Sequence, residues 1–152
     1  MNYQDSEATS RVLPDICVLI SHTLSRIIKL GYLENFEIVI PDSMEYIVQI
    51  LCDGRLQAGF YNEIDELKRL ETQRKIDILY CSYQIPEIKS KNELIKLEDD
   101  LILEIAVVTD SILLTSDKGL RGKAASIKQP VLYFPAKFQK NIKDIFMEPH
   151  DY

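Results

Sequence analysis

The sequence predicts an α/β domain with a central parallel sheet of about five strands and helices on both faces, and three observations predict it. Short apolar, β-branched runs alternate with stretches whose apolar residues recur at three- and four-residue spacing, the pattern of successive strand–helix–strand units. The runs are almost continuously apolar rather than alternating, which requires cover on both sheet faces. The chain of 152 residues, 46% hydrophobic and 28% charged, is also of the size at which one domain supports a core without disulfides.

Taken in order, Val12 to Ile20 reads as the first strand, interrupted by Asp15. Thr23 to Leu33 reads as a helix with Leu24, Ile27, Ile28 and Tyr32 on one face. Phe36 to Ile40 is the second strand. A helix over Ser43 to Leu51 follows, grouping Met44, Ile47, Val48 and Leu51 and opened by Asp42 or Ser43 as N-cap after Pro41. Phe60, Ile64, Leu67 and Leu70 continue the helical spacing, and Ile76 to Cys81 is the third strand. Leu94, Leu97, Leu101, Ile105 and Val108 form the longest stripe, before strands at Ile112 to Thr115 and Val131 to Phe134. No internal repeat is present. Residues 1–135 read as one domain and 136–152 as a basic C-terminal extension, the start of a linker to a further domain.

The first ten residues, MNYQDSEATS, are polar, and no apolar run approaches the ~20 residues of a bilayer span, so a cytoplasmic protein with no membrane partner is expected. Cys17, Cys52 and Cys81 form no CxxC pair and read as buried reduced thiols. With only His22 and His150, neither a His/Cys zinc site nor a hydrolytic triad is indicated. The net charge of −6 excludes a surface that is basic all over. Its distribution is uneven: Lys118 to Lys143 holds seven basic residues and no acid, whereas Glu34 to Asp100 holds fifteen acids against eight bases. Such a flank, including Lys118, Arg121 and Lys123, is suited to holding a phosphate backbone, or is simply a solvated surface.

Metal-dependent phosphodiester chemistry needs several carboxylates converging on a divalent cation, beyond the carboxyl ends of strands where strand order reverses. Asp15 interrupts an apolar run where a charge has no packing reason to be, so it faces a polar site, a partner or a helix start. Asp117 ends the run LLTSD as the chain turns into a helix, where it is also an ordinary N-cap. Asp99 and Asp100 lie beside Glu98 in the longest helical stripe. Three adjacent acids usually form a solvated face, but one can point inward.

These residues resemble the PIN domain, named for the PilT N-terminus. Its pattern is a strand carrying a first Asp, an Ile-Pro or Val-Pro leading to a helix with a Glu, a helix starting with an Asp, and a strand ending in Thr-Ser/Asn-Asp. The corresponding segments are PDICVLI (Pro14 to Ile20), IPDSMEYIV (Ile40 to Val48), EDDLILEIAVVTDSILLTSD (Glu98 to Asp117) and the closing VLYF. The resemblance implies a PIN-like three-layer sandwich and a Mg²⁺ or Mn²⁺ site formed by Asp15, Asp99 and Asp117, with Asp99 preferred over Asp100 by spacing. GRLQAGFYNEIDELKRL (Gly54 to Leu70) looks most like archaeal members that precede a PilT-like hexameric ATPase acting at DNA (Holliday-type) junctions. That likeness implies a homo-oligomer and a motor outside this chain, since GLRGK from Gly119 lacks phosphate-loop spacing.

Two positions depart from the pattern. Ile16 stands where a Thr or Ser usually follows the first Asp, and Ile47 stands where the helix Glu is expected. Glu45 lies two residues earlier, about 200° round a helix, and is a reserve ligand only if the helix is shifted. Two functions follow from the resemblance. One is a module with a degenerate metal site, serving assembly or binding of nucleic acid or protein partners. The other is an active Mg²⁺- or Mn²⁺-dependent endonuclease on single-stranded RNA or DNA.

Overall fold

A computed structural model describes residues 10–135. Five strands, β1 (Arg11–Pro14), β2 (Glu37–Pro41), β3 (Asp77–Cys81), β4 (Ser111–Thr115) and β5 (Val131–Tyr133), form one sheet in the order β3-β2-β1-β4-β5. Every pairing is parallel, with Val12 beside Ile38 on one side of β1 and Leu13 beside Leu113 on the other. Consecutive residues Val12–Leu13, Ile38–Val39 and Leu113–Leu114 are all fully buried. Both faces of the three central strands are therefore covered, while β3 and β5 are only partly buried edges. This is the α/β architecture expected.

Six helices connect the strands: α1 (Ile16–Ile20), α2 (Thr23–Lys29), α3 (Asp42–Leu51), α4 (Gly54–Thr72), α5 (Lys91–Val108) and α6 (Lys118–Ser126). Strand boundaries for β2 to β5 fall within one residue of expectation, because burial on both faces gives each a short unbroken apolar run. The first strand is shorter than expected: it stops at Pro14, and Ile16–Ile20 is a helix. Asp15 forces the change, since its carboxylate accepts the Ile16 N–H at 2.8 Å and caps a new helix. The β-branched content of ICVLI is overridden by packing, with Ile16, Val18 and Leu19 buried. Close contact with α4 passes over Gly59, where a Cβ would lie 3.3 Å from the Ile20 carbonyl oxygen.

α2 also ends earlier than expected, at Lys29. Gly31, with φ +96°, turns the chain, its N–H donating to the Ile28 carbonyl at 3.0 Å and the Tyr32 N–H to that of Ile27 at 3.0 Å. Tyr32 is consequently exposed rather than on the buried face. α3 begins at Asp42 with Pro41 as its N-cap, and the Asp42 carboxylate instead accepts the Tyr83 N–H at 3.1 Å. On α5 the buried stripe is Leu94, Leu101, Ile102 and Ile105; Val108 is exposed and Leu97 only partly buried. Among the described residues no helix is long and apolar enough to cross a membrane. The extension at 136–152, with Lys137, Lys140 and Lys143, lies outside the described residues.

Candidate functional site

The chain builds β1, β2 and β3 outward in one direction, then returns past them to place β4 and β5 on the other side of β1. Strand order thus reverses between β1 and β4, the kind of position beyond whose carboxyl ends open parallel sheets hold their ligands. Asp15 is the first residue after β1, and Asp117 lies two residues after β4. α5 brings Glu98 and Asp99 to the same place.

Asp15 is held on several sides. Its N–H donates to the Leu114 carbonyl at 2.8 Å, fixing it against β4. Oδ1 takes the Ile16 N–H, and Oδ2 accepts the Thr115 hydroxyl at 2.9 Å and the Cys17 thiol at 3.4 Å. The fully buried Thr115 hydroxyl also accepts the Asp117 N–H at 3.0 Å. One hydroxyl therefore links the ends of both central strands. Asp117 caps α6 through Oδ1, which accepts from Gly119 N at 2.8 Å and Leu120 N at 3.3 Å. Its Oδ2 is left outside the cap.

The acids perturb one another. Burial pushes the Asp15 carboxyl above its ordinary range, and the charge of Asp99 adds to the shift. Glu98 is pushed up to about 7, first by burial and then by Asp15, Asp99 and Asp117. Asp99 is raised by burial and by Asp117, against the opposing pull of Lys123, whose Nζ lies 3.8 Å from Asp99 Oδ2 and 3.9 Å from Asp100 Oδ1. Cys17 is exposed rather than buried as expected, because Ile16, Val18 and Leu19 take the inner side of α1. Its sulfur nevertheless sits beside Asp15, and desolvation followed by that charge pushes the thiol up to about 12.

The structure therefore brings Asp15, Asp99 and Asp117 within electrostatic reach of one another and turns Asp100 outward. Glu45 is not brought to them. Its carboxylate accepts the Tyr61 hydroxyl at 2.8 Å and borders a separate cleft of ≈ 490 Å³ between α3, α4 and the ends of β2 and β3. Glu98 is the member that the sequence reading passed over. A signal was present: it sits four residues after Leu94 and four before Ile102, in a slot of the buried face. Of the basic residues, Lys123 faces Asp99, and Arg121 stacks on the Tyr133 ring at 4.2 Å from its centroid. Lys118 is exposed at the start of α6, beside the Asp117 cap.

The donor chemistry fits a hard divalent cation: all the acids offer carboxylate oxygen, and the buried Ser43 hydroxyl, which makes no hydrogen bond, lies on the same cavity wall as Asp15 and Glu98. Among the described residues, however, no three His, Cys, Asp or Glu side chains converge into a ready-made cage. The donors are of the right kind without being drawn together.

Fold and site together define an α/β domain with a carboxylate cluster at the switch point of a parallel sheet. A domain of a functionally unknown protein from Methanocaldococcus jannaschii is similar over 83% of this chain and 91% of its own, with TM-score 0.65 and 23% identity. A PilT N-terminus domain protein from Sulfolobus solfataricus is similar over 88% and 94%, with TM-score 0.47 and 14% identity. The first likeness is one of fold and brings no activity with it. No known family profile matches the chain, and neither does any curated protein.

Proposed function

We propose that this chain is a PIN-like nucleic-acid module whose acidic centre holds one Mg²⁺ or Mn²⁺ weakly and, through it, a phosphate of single-stranded RNA or DNA or of a DNA junction. The observation that carries this reading is the mutual electrostatic influence of Asp15, Glu98, Asp99 and Asp117 beyond the carboxyl ends of β1 and β4, with the basic helix α6 alongside. Carboxylates alone repel a phosphate; a bound cation inverts the local field and supplies Lewis-acid chemistry. Asp15 and Asp117 are oriented for that role by Thr115 and by their own helix caps. In this reading Lys118 and Arg121 hold the flanking backbone, while Lys123 faces Asp99. Ile47, buried on the cavity wall, leaves α3 without a carboxylate there, which favours binding over rapid cleavage.

The test is retention and cleavage of labelled single-stranded RNA, single-stranded DNA and a four-way DNA junction with and without Mn²⁺, comparing wild type with Asp117→Asn. Binding that needs Mn²⁺ and falls at least tenfold in the variant is expected. Retention indifferent to both the cation and the substitution would remove the site from consideration. A second reading, an active endonuclease, is favoured by Glu98 as a fourth acid; it requires Mn²⁺-dependent cleavage that Asp117→Asn abolishes.

The finer reading places the module in a homo-oligomer ahead of a PilT-like ATPase and rests on the resemblance of Gly54 to Leu70. A GxxxxGK[ST] segment encoded beyond Tyr152 would support it, and a stop codon there would exclude it.

A further inference from the structure

We infer that the cleft between α3, α4 and the ends of β2 and β3 is a binding site for a guanidinium group, carried by a free guanidino compound or by an arginine side chain of a partner. The site is separate from the acidic centre and does not depend on a cation there.

The cleft has a volume of ≈ 490 Å³, within the roughly 300–1,000 Å³ of small-ligand sites. Its floor is apolar, with Ile40 from β2 and Phe60 and Ile64 from α4. Tyr61 and Tyr80 stand in its wall and remain 36% and 53% exposed. Asp42 and Glu45 border it from the first turn of α3 and Asp65 from α4, against Lys68 alone among the described basic residues. Helical period explains the α4 side, since Phe60, Tyr61, Ile64, Asp65 and Lys68 fall on one face over two turns.

Two further observations select the ligand. Glu45 is already oriented: its Oε2 accepts the Tyr61 hydroxyl at 2.8 Å and the Gln49 amide at 3.4 Å, and that amide also donates to the Tyr61 oxygen at 3.0 Å. A carboxylate is thereby held beside an aromatic ring. In addition, the ion pairs among the described residues engage none of Asp42, Glu45 and Asp65, so their charge is uncompensated. A phosphate or carboxylate ligand is repelled by such a lining. A hard metal ion needs carboxylates converging on one point, and among the described residues these do not converge. They are instead spread round an apolar, aromatic cleft, which suits a flat cation larger than an ion. Guanidinium is planar, weakly hydrated, able to pair with a carboxylate through two N–H groups and to stack on a ring, whereas an ammonium gives up more hydration on entering. Arg121 over the Tyr133 ring shows the same stacking within this chain. Pro41 lines both the cleft and the small cavity beside Asp15, so a group bound here lies next to the acidic centre.

Agmatine, cadaverine, an end-blocked tripeptide with a central arginine and its citrulline counterpart are to be titrated into the 152-residue chain, with binding read by calorimetry and by NMR shifts of the tyrosine rings. Agmatine, the arginine tripeptide or both are expected to bind, with cadaverine and the neutral citrulline tripeptide weaker by about tenfold. The double variant Glu45→Gln/Asp65→Asn is expected to lose about tenfold, because both charge-assisted contacts go. Tyr61→Phe keeps the ring but loses the hydroxyl that orients Glu45, and is expected to bind severalfold more weakly. Asp117→Asn, at the acidic centre, is expected to leave this binding unchanged. All three substituted cleft residues are exposed, so an unaltered circular dichroism spectrum is expected for these variants. Binding of agmatine shows that a free guanidino compound suffices, and binding of the arginine tripeptide alone points to an arginine of a partner; both support the site. The inference is overturned if neither binds, if citrulline or cadaverine matches its guanidinium counterpart, or if the double variant binds like wild type. Loss of binding in Asp117→Asn would place the guanidinium at the acidic centre instead and overturn it as well.

Discussion

Glu63→Ala is expected to lower the free energy of unfolding by about 3–5 kcal/mol, the range for removing one partner from a buried charged network. Glu63 sits on α4 with no exposed surface. Its Oε2 accepts the Ser25 N–H at 2.7 Å, and its Oε1 accepts the Ser25 hydroxyl at 2.8 Å and lies 2.9 Å from His22 Nδ1. These contacts fall on the first turn of α2, which has His22 as its N-cap residue in a left-handed conformation (φ +62°) and no side-chain cap of its own. Glu63 therefore caps α2 from a different helix, satisfying a free N–H and placing negative charge at the positive end of the helix. Alanine leaves the Ser25 N–H and hydroxyl buried without partners and opens a cavity. Urea unfolding with an unchanged m-value measures the loss. A decrease under ~1 kcal/mol would show that the α2–α4 junction does not depend on this carboxylate.

The second large effect is a fall in stability as pH rises from about 5 to 8 when no divalent cation is present. Glu98 is raised from 4.5 to about 7, and Asp15 and Asp99 are raised as well. A carboxyl whose folded-state value lies above its unfolded value binds protons more tightly when folded. Its stabilising contribution is complete below the unfolded value and is lost as pH climbs through the folded one. For Glu98 the window is from 4.5 to about 7. Discounted for its partial exposure, the contribution is about 1–2 kcal/mol, or on the order of 5 °C in Tm for a domain of this length. Glu98→Gln is expected to flatten the profile over this window, and Mn²⁺ to restore stability at the alkaline end by binding the folded form alone. A thermal midpoint that rises between pH 5 and 8 in the wild-type protein, with chelator present, would contradict the crowding of these acids.

Much of the sheet was legible in the sequence because each central strand is buried on both faces and leaves a short apolar run whose ends are visible. Ile16–Ile20 was not, since ICVLI satisfies strand composition and only the Asp15 cap and its packing against α4 make it helical. Asp15 and Asp117 were legible as site candidates because each stands where an apolar run breaks. Glu98 was only half legible: its spacing from Leu94 and Ile102 fits the buried face, but Leu97 competes with it for the same slot among three consecutive acids. Glu45 illustrates the converse, an acid near the expected position that its helix turns toward Tyr61 and a different cleft. Glu63 gave no signal at all, because its partners are 38 and 41 residues away.

The sequence by itself determined the order of the five strands and of the helices after α1, the three aspartates with their spacing, and the absence of a carboxylate at Ile47, because local hydrophobic patterning and residue identity are properties of the chain. Only the tertiary structure decided that β1 lies at the centre, that Asp15 and Asp117 share one threonine hydroxyl, and that Glu98 faces the cavity which Ile47 borders. Those relations join residues from different elements, and their energies are set by burial and mutual charge that exist only once the helices are packed.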